Sequence, residues 1–426
     1  MTAALYRTET AAAPDDASRP AVLIRAAEVT LTIFCVFMFT EALWAPLFAP
    51  NQENGGETAW MRLLWLPVYG ATALLCALRI PSFLRAVPAL FATGIFVGLA
   101  YLSSVWSIAP DVSTRRAIAL AFTSLFGLYL GARYKGSDLT QIVGITFVGL
   151  AIGSYLAAIL YPKMGIAHDI NAGAWRGLWH EKNQMAAMMV LGFIAACASA
   201  FQVPERRKAW IAAAVMIFVL VVLSRSKTSL LACLLSLGAM PVLVAIQRGG
   251  LISVVIIWCA TTAATIGTVV FMIIPDVVLK ALGKDPTLTG RTQIWEALGR
   301  LSEERPLLGY GYKAFWAEGS VPALIVRRET HWPVPSAHNG WLDLLVQLGW
   351  VGVITFGVFL VICFLCALFR FSRVNDGFFS VLILCLFSFL ILSESFILGQ
   401  NSLIWVLFVA AAARLTGNRL QGNQRV

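Results

Sequence analysis

The stretch Ala337–Phe369 reads AHNGWLDLLVQLGWVGVITFGVFLVICFLCALF. It opens with the polar residues His338, Asn339 and Gly340, and then continues as an almost unbroken apolar run. A membrane-spanning helix needs about 20 apolar residues, and this run is longer. The stretch therefore predicts a membrane-spanning helix that begins outside the bilayer, with polar side chains at its start.

The rest of the chain has the same character. Of its 426 residues, 59% are apolar and only 13% are charged, and the mean hydropathy is +0.79. Soluble domains carry about twice that share of charge, so we predict an all-α, polytopic membrane protein with about 12 transmembrane helices. The candidate spans cover residues 26–50, 60–78, 87–106, 115–132, 139–161, 183–201, 209–223, 228–246, 251–275, 337–369, 377–398 and 401–415.

The orientation follows from the basic residues of the short loops. They recur after every second span, as the following residues illustrate: Arg25, Arg79, Arg133, Arg206, Arg248, Arg370 and Arg414. Because cytoplasmic loops carry the excess of Lys and Arg, both termini are predicted to be cytoplasmic. Residues 1–25 and 417–426 are then cytoplasmic tails, and 26–275 and 337–416 form the membrane part. Residues 276–336 form a large extracytoplasmic loop that carries short helices.

This large loop is the predicted working face. Ile294, Trp295, Leu298 and Leu301 recur at helical spacing after Arg291, which predicts a short amphipathic helix with a threonine cap. The N-terminus of a helix beside an arginine suits a phosphate or a diphosphate. A surface helix with a solvated arginine is the plainer alternative.

Further cations lie on the same predicted face. Arg115 and Arg116 could be interfacial anchors, whereas Arg225 and Lys227 are flanked by hydroxyl residues and form a candidate site for an anionic headgroup. His338 could exchange a proton with a hydroxyl, although a lone histidine is more often structural. The nearby anion site favours the catalytic interpretation.

Metal and nucleotide chemistry have no support in the sequence. There is no Asp-x-Asp or His-x-x-x-His motif and no P-loop, and the eight cysteines lie inside apolar segments. We therefore predict no metal, no cofactor and no nucleic-acid partner. The net charge of +10 is explained by the basic loops.

Four stretches resemble the O-antigen ligase and polymerase superfamily of bacterial membrane glycosyltransferases. They are 104–116, 175–183, 224–228 and 290–340. The order, the spacing and the large outer loop before His338 match that family, and the resemblance covers most of the chain from about Ser103 onward. The histidine helix that follows a Gly290-Arg291 helix is its most specific part.

The resemblance implies a reaction on the periplasmic face of the bacterial inner membrane, with a glycan on undecaprenyl diphosphate as the donor. It implies that His338, Arg225 and Arg291 are the catalytic residues. The two arginines would contact the diphosphate or hold the donor, and His338 would assist the acceptor hydroxyl. Direct attack would invert the anomeric carbon. The expected partners are the lipid-linked glycan, a glycan or lipid A core acceptor, membrane lipids and other polysaccharide export components.

The remaining predicted substrate-binding residues are Arg116, Arg176, Lys182, Lys227 and Asn339. Family members often carry His-Lys-Asn where this chain has His180-Glu181-Lys182-Asn183, so the role of His180 stays open.

Three functions remain open at this stage. Residues 175–183 are closer to the exopolysaccharide polymerase branch, which joins lipid-linked repeat units, than to ligases, which transfer a finished glycan to lipid A core. A transporter would suit twelve spans, but transporters hold their binding groups near the membrane midplane, whereas the charges of this chain crowd one face.

Overall fold

The computed structural model describes residues 19–43, 59–83, 86–168, 171–249, 252–256, 258–259, 262, 291–371 and 377–417. Within these ranges the chain is mostly helical, and the recorded β pairing is one isolated bridge between Ile166 and Trp175. The longer helices are α1 Arg19–Phe39, α2 Ala59–Leu78, α3 Val87–Leu102, α4 Pro110–Arg133, α5 Gly136–Leu160, α6 Lys182–Gln202, α7 Arg207–Leu223, α8 Lys227–Arg248, α9 Arg291–Glu304, α10 Val321–Thr330, α11 Gly340–Phe371, α12 Phe378–Leu390 and α13 Leu403–Thr416. The predicted all-α fold is confirmed.

Most of the predicted spans that the structure describes coincide with helices. Six helices (α1, α3, α5, α6, α8 and α11) are long and apolar enough to cross a membrane, and α2, α12 and α13 are shorter apolar helices. These helices confirm the polytopic membrane class. Most of the ninth candidate span lies outside the described residues, as do Thr289 and Gly290 of the predicted cap. The count of about twelve spans, the orientation and the tails stay predictions.

The eleventh predicted span, 377–398, is longer than the helix found there. α12 ends at Leu390, and residues 391–402 continue as an irregular segment. The backbone carbonyl of Ile391 accepts a hydrogen bond from Gly340 N at 2.8 Å, which ties this segment to the start of α11. Ser393, Glu394 and Ser395 make the segment polar, and it borders the cavity described below.

The core is organised around the contact between α4 and α13. A Cβ atom at Gly127 would lie 2.6 Å from the carbonyl oxygen of Val406, so the two backbones touch there. Small residues at such crossings let membrane helices approach closely. Trp405 Nε1 also donates to Ser124 Oγ at 3.0 Å, and both residues are buried. This contact fixes α13, the helix that follows the polar segment 391–402.

A buried charge cluster ties α1 to the ends of α2 and α4. Glu28 is 6% exposed, and both of its carboxylate oxygens accept hydrogen bonds from Arg79 and from Arg133 at 2.6–3.0 Å. Tyr129 also donates its hydroxyl to Glu28 at 3.0 Å. Buried charges need such complete pairing. Arg79 and Arg133 were predicted to share one face of the membrane, and the structure brings them together.

The helix α11 is interrupted at Gly349, which has φ 62° and ψ −165°. Trp350 N donates to Pro306 O at 2.8 Å instead of continuing the helical ladder. The interruption separates a first segment, which begins at the polar Gly340 turn, from the apolar segment that follows. The prediction that the helix begins outside the bilayer stays a prediction.

We expect Gly349→Ala to destabilise the protein. The backbone conformation of Gly349 is open almost only to glycine, and a Cβ atom there would lie 2.2 Å from Leu307 C and O. A cost of about 1–3 kcal/mol should lower the melting temperature of the purified protein by about 5 °C. Gly357→Ala is the control, because its Cβ would meet only Trp341 at 3.9 Å. Equal melting temperatures for the two variants would contradict this explanation of the interruption.

The described part of the large loop, residues 291–336, forms a small unit with its own core. Its core joins α9 and α10 to the chain before α11. The following side chains are fully buried in this core: Ile294, Leu298, Phe315, Val326 and Val334. The predicted amphipathic helix is thus confirmed over Arg291–Glu304. This unit places the start of α9 and the segment 335–338 next to the end of α12.

Candidate active site

A cavity of about 960 Å³ lies where these elements meet. Its walls come from α2, α4, the turn after α1, the starts of α6, α8 and α9, and the segments 335–338 and 390–401. Pockets for small molecules measure about 300–1,000 Å³, so this one is large enough for more than one sugar ring.

The cavity wall contains a hydrogen-bonded cluster of three charged or titratable side chains. Glu394 Oε2 lies 3.3 Å from His338 Nδ1, and Glu394 Oε1 lies 3.4 Å from Arg291 Nη2. Arg291 Nη1 also donates to Ser393 O at 2.8 Å. The carboxylate therefore joins two of the three residues predicted as catalytic, and the side chains of this cluster are about one fifth to one quarter exposed.

Within the described part of the chain, the imidazole of His338 has one paired and one unpaired ring nitrogen. When Nδ1 carries the proton and donates it to Glu394, Nε2 is left with a free lone pair. Nε2 is buried and has no hydrogen-bond partner among the described residues. The ring also stacks on Trp332, with centroids 5.6 Å apart and planes 5° apart. An unsatisfied buried nitrogen is costly, and a catalytic role is one explanation of its presence.

The backbone around His338 explains this placement. His338 has φ 46°, a left-handed conformation that is uncommon outside glycine. Asn339 Oδ1 then accepts hydrogen bonds from Trp341 N at 3.0 Å and Leu342 N at 3.2 Å, which caps the start of α11. The predicted role of Asn339 in substrate binding stays a prediction, and its observed contacts are those of a helix cap.

Glu394 is a charged residue of the cavity wall that the sequence analysis missed. It was counted inside the eleventh apolar span, and no motif connects it to His338, which is 56 positions away. The sequence contains a signal for Glu394, because an acidic residue within an apolar segment is by default a functional candidate.

Of the other predicted binding residues, Arg116 lines the cavity. Arg62, Arg115 and Arg291 are the further cations of the wall, and the acids are Glu41, Asp111, Glu181 and Glu394. The cavity wall thus carries both positively and negatively charged side chains. Among the residues that the structure describes, no three His, Cys, Asp or Glu side chains are grouped so that they could hold a metal ion.

Arg225 and Lys227 lie beside the cavity but are not part of its wall. Both are exposed, whereas their neighbours Ser226 and Thr228 line it. Arg225 has φ 54°, and its Nη1 lies 3.4 Å from Ala172 O. The roles predicted for both residues stay predictions.

Arg176 and Lys182 also lie outside the cavity wall. Arg176 donates to the backbone carbonyls of Met164 and Lys163 at 2.9 Å and of His180 at 3.3 Å. These contacts join residues 163–164 to residues 176–180. They account for the position of the Arg176 guanidinium group, and no bound ligand is needed to explain it. Lys182 begins α6, and its neighbours Glu181 and Asn183 line the cavity.

Two comparisons relate the chain to known proteins. Residues 211–357 match the family model described as O-Antigen ligase. The exopolysaccharide production protein ExoQ of Rhizobium meliloti (strain 1021) is 27% identical over 282 residues. That match covers 63% of this chain and 63% of the relative, so the chain spans less than two thirds of the relative's length.

Proposed function

Both matches support an O-antigen ligase and ExoQ-like family for this chain, and on that premise we propose that it transfers a glycan from undecaprenyl diphosphate to a sugar hydroxyl. The reaction takes place at the periplasmic face of the bacterial inner membrane. The hydrogen-bonded cluster of His338, Glu394 and Arg291 at the cavity is the observation that carries this proposal.

In this proposal His338 is the general base. The acceptor oxygen forms a bond to the anomeric carbon, the bond from that carbon to the diphosphate breaks, and the diphosphate leaves with the electron pair. The acceptor proton moves to His338 Nε2, and Glu394 stabilises the imidazolium that results. One direct displacement inverts the anomeric carbon.

The arginines of the cavity wall stabilise the leaving group. Arg116 and Arg291 both line the cavity, and guanidinium groups can bind a diphosphate in bidentate fashion. Arg291 has a second task, because its contacts to Ser393 and Glu394 fix the carboxylate that orients His338. Arg225 is proposed as a further contact of the donor beside the wall.

We propose polymerisation of exopolysaccharide repeat units as the specific reaction, because the matched relative is named for exopolysaccharide production. The second candidate is transfer to lipid A core, since the family model is described as O-antigen ligase.

A reconstituted assay separates these reactions. The purified protein in lipid would receive undecaprenyl-diphosphate repeat units, with and without lipid A core. We expect a ladder of longer diphosphate-linked chains in the absence of core. Transfer that occurs only with core would favour the ligase, and the absence of both products would contradict glycan transfer and return transport as the leading account.

A further inference from the structure

A second polar pair lines the cavity and is not used by the mechanism above. Gln184 Nε2 donates to Glu41 Oε2 at 3.3 Å, and both side chains face the cavity. Glu41 lies in the turn after α1, and Gln184 lies in the first turn of α6. The pair therefore belongs to a different wall from the elements that carry His338, Glu394 and Arg291.

The backbone at Glu41 is held in an unfavourable conformation. Glu41 has φ 56° and Leu43 has φ 69°. These are left-handed backbone values that residues other than glycine rarely adopt. Two hydrogen bonds fix the turn, from Leu43 N to Leu178 O at 2.7 Å and from Trp179 Nε1 to Thr40 O at 2.8 Å. Local strain that the surrounding structure maintains is typical of functional sites.

Aromatic rings lie in the same cavity. Tyr69 stacks on Phe122 with ring centroids 4.8 Å apart, and Trp65 stacks on Tyr69 at 6.0 Å. The hydroxyl of Tyr69 donates to Asn401 Oδ1 at 2.7 Å, which fixes the ring. Trp65, Tyr69, Phe122 and Asn401 all line the cavity. An apolar surface with a few placed polar groups is the usual design of a site that binds a neutral organic molecule.

These features match the chemistry of a sugar. A pyranose presents hydroxyl groups at its edge and C–H groups on its faces. A carboxylate accepts hydrogen bonds, an amide both donates and accepts them, and aromatic rings cover C–H groups. A diphosphate, in contrast, gains nothing from a carboxylate.

We propose that Glu41 and Gln184 bind the acceptor sugar and determine which acceptor is used. This inference rests on the proposed function, because an acceptor subsite has a purpose only in a glycan transferase. The cluster around His338 then acts on the hydroxyl that this subsite presents. A site built to bond substrate hydroxyls strongly rejects analogues that lack them, so the pair would set specificity.

A binding measurement tests the subsite without any turnover. The probe is the phosphate-free repeat-unit oligosaccharide, obtained by mild acid from the lipid-linked donor, and the full chain is held in nanodiscs. We expect Glu41→Gln and Gln184→Ala each to weaken its binding at least 10-fold while the binding of inorganic diphosphate is unchanged. Glu329→Gln is the matched control, because Glu329 pairs with Arg300 on the surface at 2.5 Å. Melting temperatures identify a variant that fails to fold.

The outcomes separate the subsite from the proposed function. Loss of oligosaccharide binding in both cavity variants, with diphosphate binding unchanged, supports a sugar subsite at Glu41 and Gln184. A parent that binds the oligosaccharide but transfers no glycan overturns the proposed function, and with it the acceptor role, while the sugar subsite stands. Parental binding by both cavity variants, or a parent that does not bind the oligosaccharide, overturns the subsite. An equal loss of oligosaccharide and diphosphate binding also overturns it, since the wall would then have a general structural role.

Discussion

Purified His338→Ala is expected to lose about 10²- to 10⁴-fold in transfer rate, because a positioned general base contributes that much. The side chain is held by Glu394 on one nitrogen and by the ring of Trp332 on its face. Removal of the imidazole removes Nε2, the nitrogen that would take the acceptor proton. The arginines of the wall are untouched, so the affinity for the lipid-linked donor should change little.

The measurement is the initial rate of glycan transfer at saturating donor, with donor binding measured separately. His331→Asn is the matched control, since His331 is exposed and lies outside the cavity wall, and Asn tolerates its left-handed φ of 51°. A His338→Ala variant that binds donor and transfers glycan at the parental rate would exclude His338 as the base.

Glu394→Gln is expected to reduce the transfer rate about 100-fold or more, although the two side chains have nearly the same size. The amide can donate to Nδ1, which favours the tautomer with the proton on Nε2, and that tautomer cannot accept a proton from the sugar. The change also removes the charge that stabilises the imidazolium and that pairs with Arg291 at 3.4 Å.

A double variant separates this role from general damage. If Glu394 acts through His338, then His338→Ala with Glu394→Gln should be about as slow as His338→Ala alone, because residues that act as a unit are not additive. Glu329→Gln again controls for loss of a carboxylate elsewhere. Multiplicative losses in the double variant would mean that Glu394 acts independently of His338.

The membrane architecture was predictable because long apolar runs have few alternatives. Spans such as 183–201 and 228–246 could be predicted from their apolar composition alone, and the structure has helices at both. The interruption at Gly349 was not predicted, because it depends on the contact with Leu307, which is distant in sequence.

The candidate site was predictable in part, because polar residues near helix starts stand out in a sequence whereas loop contacts do not. His338 and Arg291 stood out as polar residues near helix starts, whereas Glu394 was hidden in an apolar segment. Asn339 and Arg176 were assigned to substrate because they lie in stretches that resemble the family. The structure shows Asn339 as a helix cap and Arg176 as a donor to loop carbonyls, and their roles toward substrate stay predictions. Such backbone contacts follow from loop conformation, which a single sequence does not specify.

The most direct test of the central claim is the release of undecaprenyl diphosphate by the purified protein in lipid, measured together with glycan bond formation. The account predicts one released diphosphate for each new glycosidic bond, release that depends on the acceptor, and loss of both products in His338→Ala and Glu394→Gln. Glycan moved across the bilayer with its diphosphate linkage intact, at a rate that both variants retain, would contradict it.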